Sequence, residues 1–247
     1  MSDTTKAVLL VADISGFTNF MRQHVISVNH AKQIVIRLLK SLMQTARPPL
    51  KVAELEGDAV FFYALSSEKD MEKVTTQVKE QMVKFFAAFK KEMDAINNVK
   101  TCVCDACDHV HDLKLKQVVH VGEVAVEKID RFEKLFGMDV ILVHRMLKNS
   151  VPSKEYVMMT NPVYERIHDF YGLEPERRLE SFEGVGDVET LVFYPAQLPH
   201  RAEEAESVTQ PASFSEKTSW RMWLSLGFVL DFLRISRIKG AFNNFPA

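Results

Sequence analysis

The chain has 247 residues, 47% of them hydrophobic and 26% charged, with a formal net charge of −2. That length and apolar content suffice for a buried core, in one domain with appendages or in two small domains. The near-neutral balance gives no global attraction to nucleic acid, so no nucleic-acid partner is expected and any charged ligand must be met by a local site.

Met1 to Lys6 lead directly into an apolar run that is too short for a signal-peptide core and lacks a small-residue cleavage site. The longest late apolar stretch, Met222 to Leu233, contains Asp231 and falls short of the ~20 residues a spanning helix needs. Three cysteines are too few for a disulfide framework and favour a reducing compartment, so the expected location is cytoplasmic.

Ala7 to Asp13 is a continuous apolar run ending in an acid, the pattern of a buried central strand. Gly16 to Met21 open a helix. A second helix runs from about His30 to Thr45, with Ile34, Ile36, Leu38, Leu39 and Leu42 on its apolar face, and Pro48 and Pro49 stop it. Lys51 to Leu65 reads as a hairpin with its turn at Gly57-Asp58. Glu68 to Ile96 carries a long helical pattern, and Asn97 to Asp112 reads as a polar loop bearing the cysteines.

Leu113 to Ile129 reads as two strands broken near Gly122, and Asp139 to Leu147 as a short helix. Tyr156 to Thr160 is a strand, and Asn161-Pro162 caps the next helix with Pro at its first position. Arg178 to Glu183 and Thr190 to Tyr194 form a last strand pair. The order implies an α+β fold with a mainly antiparallel sheet and a ferredoxin-like core over residues 1–195. Residues 98–112 form a cysteine-bearing insertion, 196–218 a linker rich in Ala, Glu, Ser and Pro, and 219–247 a C-terminal helical extension.

Two acids occupy special places. Asp13 ends a buried strand just before a helix start, and Asp58 sits at a turn that can lie beside that strand end. Two carboxylates from adjacent strands can hold Mg²⁺, with a polyphosphate completing its shell. The N–H groups of Gly16, Phe17 and Thr18, at a helix N-terminus, would receive the phosphates. The same residues have a plainer use, because strand-ending Asp often caps a helix and Gly-Asp often only turns a chain.

Val11-Ala12-Asp13-Ile14-Ser15-Gly16-Phe17-Thr18 resembles the opening strand and turn of class III adenylate and guanylate cyclases, phenylalanine-alanine-aspartate-isoleucine-x-glycine-phenylalanine-threonine. Gly57-Asp58-Ala59 resembles the second signature of that family. Val119-His120-Val121-Gly122-Glu123-Val124 resembles its isoleucine-histidine-threonine-glycine-glutamate-valine strand. Phe136-Gly137 through Arg145-Met146 resembles the segment that presents its catalytic arginine. The four matches fall in family order and cover roughly Ala7 to Tyr194.

The resemblance implies a divergent cyclase homology domain that works as a homodimer, with the site between two copies. It implies that Asp13, Ile14 and Asp58 bind two Mg²⁺ or Mn²⁺ ions that hold a purine nucleoside triphosphate. Arg145, from the other copy, would act as the catalytic residue at the α-phosphate, and the product would be a cyclic nucleotide with release of pyrophosphate. Glu54 and Lys134 match the base-selecting positions. Glutamate at the first resembles guanylate cyclases, and a Glu54–Lys134 pair across the dimer would fill the base pocket.

Departures from the family pattern point to a second reading. Ile141 stands where the family has an asparagine, and Gly184-Val185-Gly186 replaces its glycine-lysine-glycine phosphate turn. Losing one such donor commonly costs ~10²–10³ in rate. The alternative is therefore a catalytically inactive nucleotide-binding regulatory or scaffold module of the same fold.

Cys102, Cys104 and Cys107, followed by His109 and His111, offer enough soft ligands for a tetrahedral Zn²⁺ site. An ordinary polar loop with free thiols, or a redox sensor, uses the same residues. His120 reads as a core or interface histidine, and His144 is left out of the expected site. The last helix carries Trp220, Trp223, Leu226 and Phe228 beside Arg221, Arg234, Arg237 and Lys239. Packing against its own domain or a dimer partner is preferred there to contact with a membrane surface.

Overall fold

A computed structural model describes residues 4–23, 28–99 and 109–197. Cys102, Cys104, Cys107, most of the linker and the C-terminal helix lie outside the described residues. Among the described residues no helix is long and apolar enough to cross a membrane.

The chain forms strand β1 (Thr4–Ser15), helices α1 (Phe17–Gln23) and α2 (Val28–Thr45), and the hairpin β2 (Lys51–Glu56) and β3 (Ala59–Ser66). Helix α3 (Met71–Val99) leads to β4 (Lys114–Ile129), β5 (Phe132–Phe136) and helix α4 (Met138–Arg145). Strand β6 (Tyr156–Thr160), helix α5 (Asn161–Ile167) and the hairpin β7 (Glu176–Phe182) and β8 (Gly186–Phe193) complete it. The strands lie in one sheet in the order β2-β3-β1-β4-β6-β8-β7, with β5 paired to β4. Every pairing is antiparallel except that of β4 with β6. The α+β architecture with a mainly antiparallel sheet is thus the one expected.

β1 is apolar throughout because both of its faces are covered. Side chains alternate along a strand, so Val8, Leu10, Ala12 and Ile14 enter one core with α2, α3 and α5. Ala7, Leu9 and Val11 enter a second core with Phe61, Leu142, Val143 and Met146 beneath α4. The same alternation turns Asp13 toward the α4 side. Helix α2 supplies Ala31, Ile34, Val35, Leu38 and Leu42 to the first core, at helical spacing. Phe85 of α3 stacks on Phe62 of β3 with ring centroids 5.0 Å apart.

Four expectations are corrected. β4 is one continuous strand rather than two broken at Gly122, because β1 backs it from Lys114 to Ala125 without interruption. The glycine is needed there for space: a Cβ on Gly122 would lie 2.2 Å from Asp139 Cγ. β5, not anticipated, returns from an Asp130-Arg131 turn in which Asp130 takes a left-handed φ of 55°. Helix α3 continues through Val99, past the expected end at Ile96. Thr160, rather than Asn161, is the N-cap residue of α5, and Pro162 falls in its first turn.

Candidate functional site

The last residues of β1 reach the α4 side of the sheet between β3 and β4. Asp13 pairs there with Ala59 of β3 and Lys116 of β4. Its side chain is largely buried, and Lys116 Nζ lies 3.1 Å from Asp13 Oδ2. Lys116 Nζ also donates to the Leu147 carbonyl at 3.3 Å.

Asp58 follows Gly57, whose left-handed φ of 64° turns the β2–β3 hairpin. The Ile14 N–H donates to the Asp58 carbonyl at 3.1 Å, fixing this turn beside the end of β1. Burial, and after it the negative charge of Asp13, pushes the Asp58 carboxyl up to about 6. The turn that carries Asp58 thus lies beside the strand end that carries Asp13, and the charge of Asp13 acts on the Asp58 carboxyl. The side chain of Ile14 is buried in the α2–α3 core, so only its main chain can serve an ion.

Gly16 takes a φ of 89°, and a Cβ there would lie 3.1 Å from the Asp112 carbonyl oxygen. Its own carbonyl accepts from Phe20 N–H at 2.9 Å and opens α1. The N–H groups at the start of a helix have no intrahelical acceptor, which leaves those of Phe17 and Thr18 at the end of β1.

Glu54 and Lys134 do meet, but within one chain, which corrects the pairing expected across a dimer. β5 folds over β2, and Lys134 Nζ reaches the two Glu54 carboxylate oxygens at 2.7 and 3.0 Å. The hydrogen bond from Lys134 holds the Glu54 carboxyl below its usual range. Tyr63 and Glu133 make a second tie between β3 and β5.

Arg145 ends α4, with its guanidinium against Gly184 in the β7–β8 turn. Among the described residues its Nη1 is buried without a hydrogen-bond partner, and the Glu183 carboxylate forms an ion pair with it at 3.8 Å. Ile141 is exposed on the same helix. His109 precedes a short turn at Val110–Asp112 and His111 lies within it, and the zinc site expected from them and the cysteines falls mostly outside the described residues.

Sequence reasoning missed three features. The first is Lys116 on Asp13: it stands in the mixed polar start of β4, Lys114-Leu115-Lys116-Gln117, where nothing local singles it out. The second is the pair of Glu56 and His144, whose Nε2 and Oε1 atoms are 2.8 Å apart. The third is a chain of hydrogen bonds that runs from the sheet interior to its surface. His120 Nδ1 lies 2.8 Å from Thr160 Oγ1, and its Nε2 lies 3.0 Å from Asp139 Oδ1. Asp139 also accepts from the Glu123 N–H at 2.6 Å. Acid, imidazole and hydroxyl resemble a hydrolytic triad in order, but His120 and Thr160 are buried in the sheet and no substrate reaches them. Their role is to clamp α4 onto β4 and β6.

A family model described as "Protein of unknown function (DUF2652)" matches residues 35–156. The "Uncharacterized protein Rv2561/Rv2562" of Mycobacterium tuberculosis is 36% identical over 154 residues, which cover 62% of this chain and 70% of that protein. The adenylyl cyclase CyaB from P. aeruginosa superposes with a TM-score of 0.62 at 14% identity, over 77% of this chain and 95% of that one. A class III adenylyl cyclase-like ATP-binding protein from Pseudomonas aeruginosa superposes with a TM-score of 0.54 at 19% identity, over 66% of this chain and 35% of that one.

Proposed function

This chain belongs to the family of the mycobacterial protein Rv2561/Rv2562 and has the fold of a divergent class III cyclase homology domain, and on that premise we propose that it binds a purine nucleoside triphosphate through two Mg²⁺ or Mn²⁺ ions. The reading is carried by the coupling of Asp13 and Asp58. Two carboxylates from neighbouring strands, one driven up to about 6 in part by the other, make an oxygen-donor set whose repulsion a divalent cation relieves. Asp13, the main chain of Ile14 and Asp58 would hold the ions, which supply charge neutralisation for the triphosphate and activation of the ribose 3′-hydroxyl.

The chain's own groups do the rest. The N–H groups of Gly16, Phe17 and Thr18 donate to phosphate oxygens. Lys116, now on Asp13, is the counter-charge that yields to the ions and stays beside the phosphates. Glu54 offers only acceptors, which suit the donor edge of guanine better than the mixed edge of adenine. A neighbour of the same fold described as ATP-binding supports binding as the function. Exposed Phe132, Phe136, Met138 and Ile141 on β5 and α4 favour a homodimer that buries them.

Cyclisation with release of pyrophosphate is the second reading. Arg145 favours it: its Nη1 has no hydrogen-bond partner among the described residues, and an α-phosphate oxygen would satisfy that donor, whose charge would meet the charge developing there. Ile141 and Val185 offer no hydrogen bond or charge, so any turnover is slow.

The test is unfolding of the purified protein in Mn²⁺ with ATP or GTP. At a ligand concentration of about 100 times Kd, stabilisation of about 2.7 kcal/mol is expected, and Asp13→Asn should abolish it. No response from either nucleotide refutes the binding reading. Cyclic product that vanishes in Arg145→Ala, with binding retained, supports the second.

A further inference from the structure

We infer that Glu54, Glu56 and His144 form a binding site for one divalent transition-metal ion, separate from the pair at Asp13 and Asp58. One ligand atom from each residue lies within 4.8 Å of the other two, and all three residues are partly buried. Glu54 and Glu56 are two apart on β2, so both face α4, where His144 occupies the last turn.

The histidine is held as a ligand would be. The Val140 carbonyl can only accept, so His144 Nδ1 carries a proton and donates it at 2.7 Å. Phe61 meets the ring edge-on, with centroids 4.7 Å apart and planes at 72°. Nε2 is thereby aimed at the carboxylates, with Glu56 Oε1 2.8 Å away. A backbone carbonyl that fixes the far nitrogen is the usual outer support of a metal-bound imidazole. With Nδ1 committed to the Val140 carbonyl, Nε2 is the nitrogen that faces both carboxylates.

The donor set names the class of metal. One imidazole nitrogen with two carboxylates suits Zn²⁺, Co²⁺ or Ni²⁺, whereas the all-oxygen set at Asp13 and Asp58 suits Mg²⁺ or Mn²⁺. Three protein ligands leave a position for water. Lys134 competes for Glu54, and its half-exposed side chain can turn into solvent. The inference does not depend on the nucleotide reading. The two meet only at Glu54, a carboxylate that the ion would withdraw from a purine.

Full-length protein is titrated with Co²⁺ alone and followed by calorimetry and visible absorption. One equivalent without thiolate-to-cobalt charge transfer is expected, distinguishable from any ion on Cys102, Cys104 or Cys107. His144→Gln and Glu56→Gln should each weaken it at least about tenfold, with the circular dichroism of wild type. Lys134→Ala should tighten it, and Asp13→Asn should leave it in place. The inference is overturned if wild type takes up no such equivalent, if both glutamine variants bind it as wild type does, or if Asp13→Asn removes it. Should a glutamine variant fail to fold, unchanged or weaker binding by Lys134→Ala overturns it instead. Nucleotide binding that fails while this equivalent persists counts against the nucleotide reading alone.

Discussion

Asp58→Asn should make the ligand-free protein more stable near neutral pH while removing its response to metal and nucleotide. Burial and then the charge of Asp13 raise the Asp58 carboxyl from its ordinary 3.8 to about 6. At about 1.4 kcal/mol per tenfold, that rise corresponds to about 3 kcal/mol. Asp58 is only partly buried, and solvent screening reduces the figure to about 1 kcal/mol. The sign follows from linkage. A carboxyl raised on folding binds its proton more tightly in the folded state, so its favourable contribution is complete below pH 3.8 and is lost as the pH rises through about 6. Asparagine has nothing to lose in that window. The gain from Asp58→Asn should be near zero at the acid end and reach about 1 kcal/mol above pH 6. Urea unfolding of both proteins at the two ends measures it. An equal gain at both pH values, or no gain at the upper one, refutes the coupling of Asp58 to burial and to Asp13.

Gly122→Ala drives a Cβ into Asp139, 2.2 Å from its Cγ, and breaks the bonds from Asp139 to His120 and to the Glu123 N–H. Overpacking of this kind should cost about 1–3 kcal/mol and is read from the urea midpoint. The bond from His120 keeps the Asp139 carboxyl below its usual range, so Asp139 adds stability above its ordinary titration range and loses it as the pH falls. The penalty of Asp139→Asn, measured across pH, should accordingly shrink toward acid. Phe132→Glu places a charge on an exposed aromatic of β5 and should shift a dimer to monomer in sedimentation, with the circular dichroism unchanged. Arg145→Ala should lower cyclic product formation by ~10²–10³ while Mn²⁺-dependent nucleotide binding, measured by calorimetry, stays within a few fold.

The fold was legible where one residue type has one physical use. The apolar run of β1, the Gly57-Asp58 turn and the helical spacing of α2 and α3 each had a single sensible reading. Gly122 misled because a glycine in a strand suggests a break, whereas here it makes room for Asp139, 17 residues further along the chain. β5 was hidden because Phe132, Leu135 and Phe136 have no clean alternation and lie over β2 through Glu54 and Lys134. The approach of Asp13 to Asp58 followed from strand alternation and the turn. Lys116 and His144 did not, because their partners come from other strands and no local pattern marks a cross-strand neighbour.

Anomalous diffraction from a crystal soaked with Mn²⁺ and a non-hydrolysable purine triphosphate tests the central claim most directly. Manganese peaks are expected between the side chains of Asp13 and Asp58, with Lys116 displaced from Asp13. Manganese elsewhere, with the Lys116–Asp13 pair intact, would contradict it.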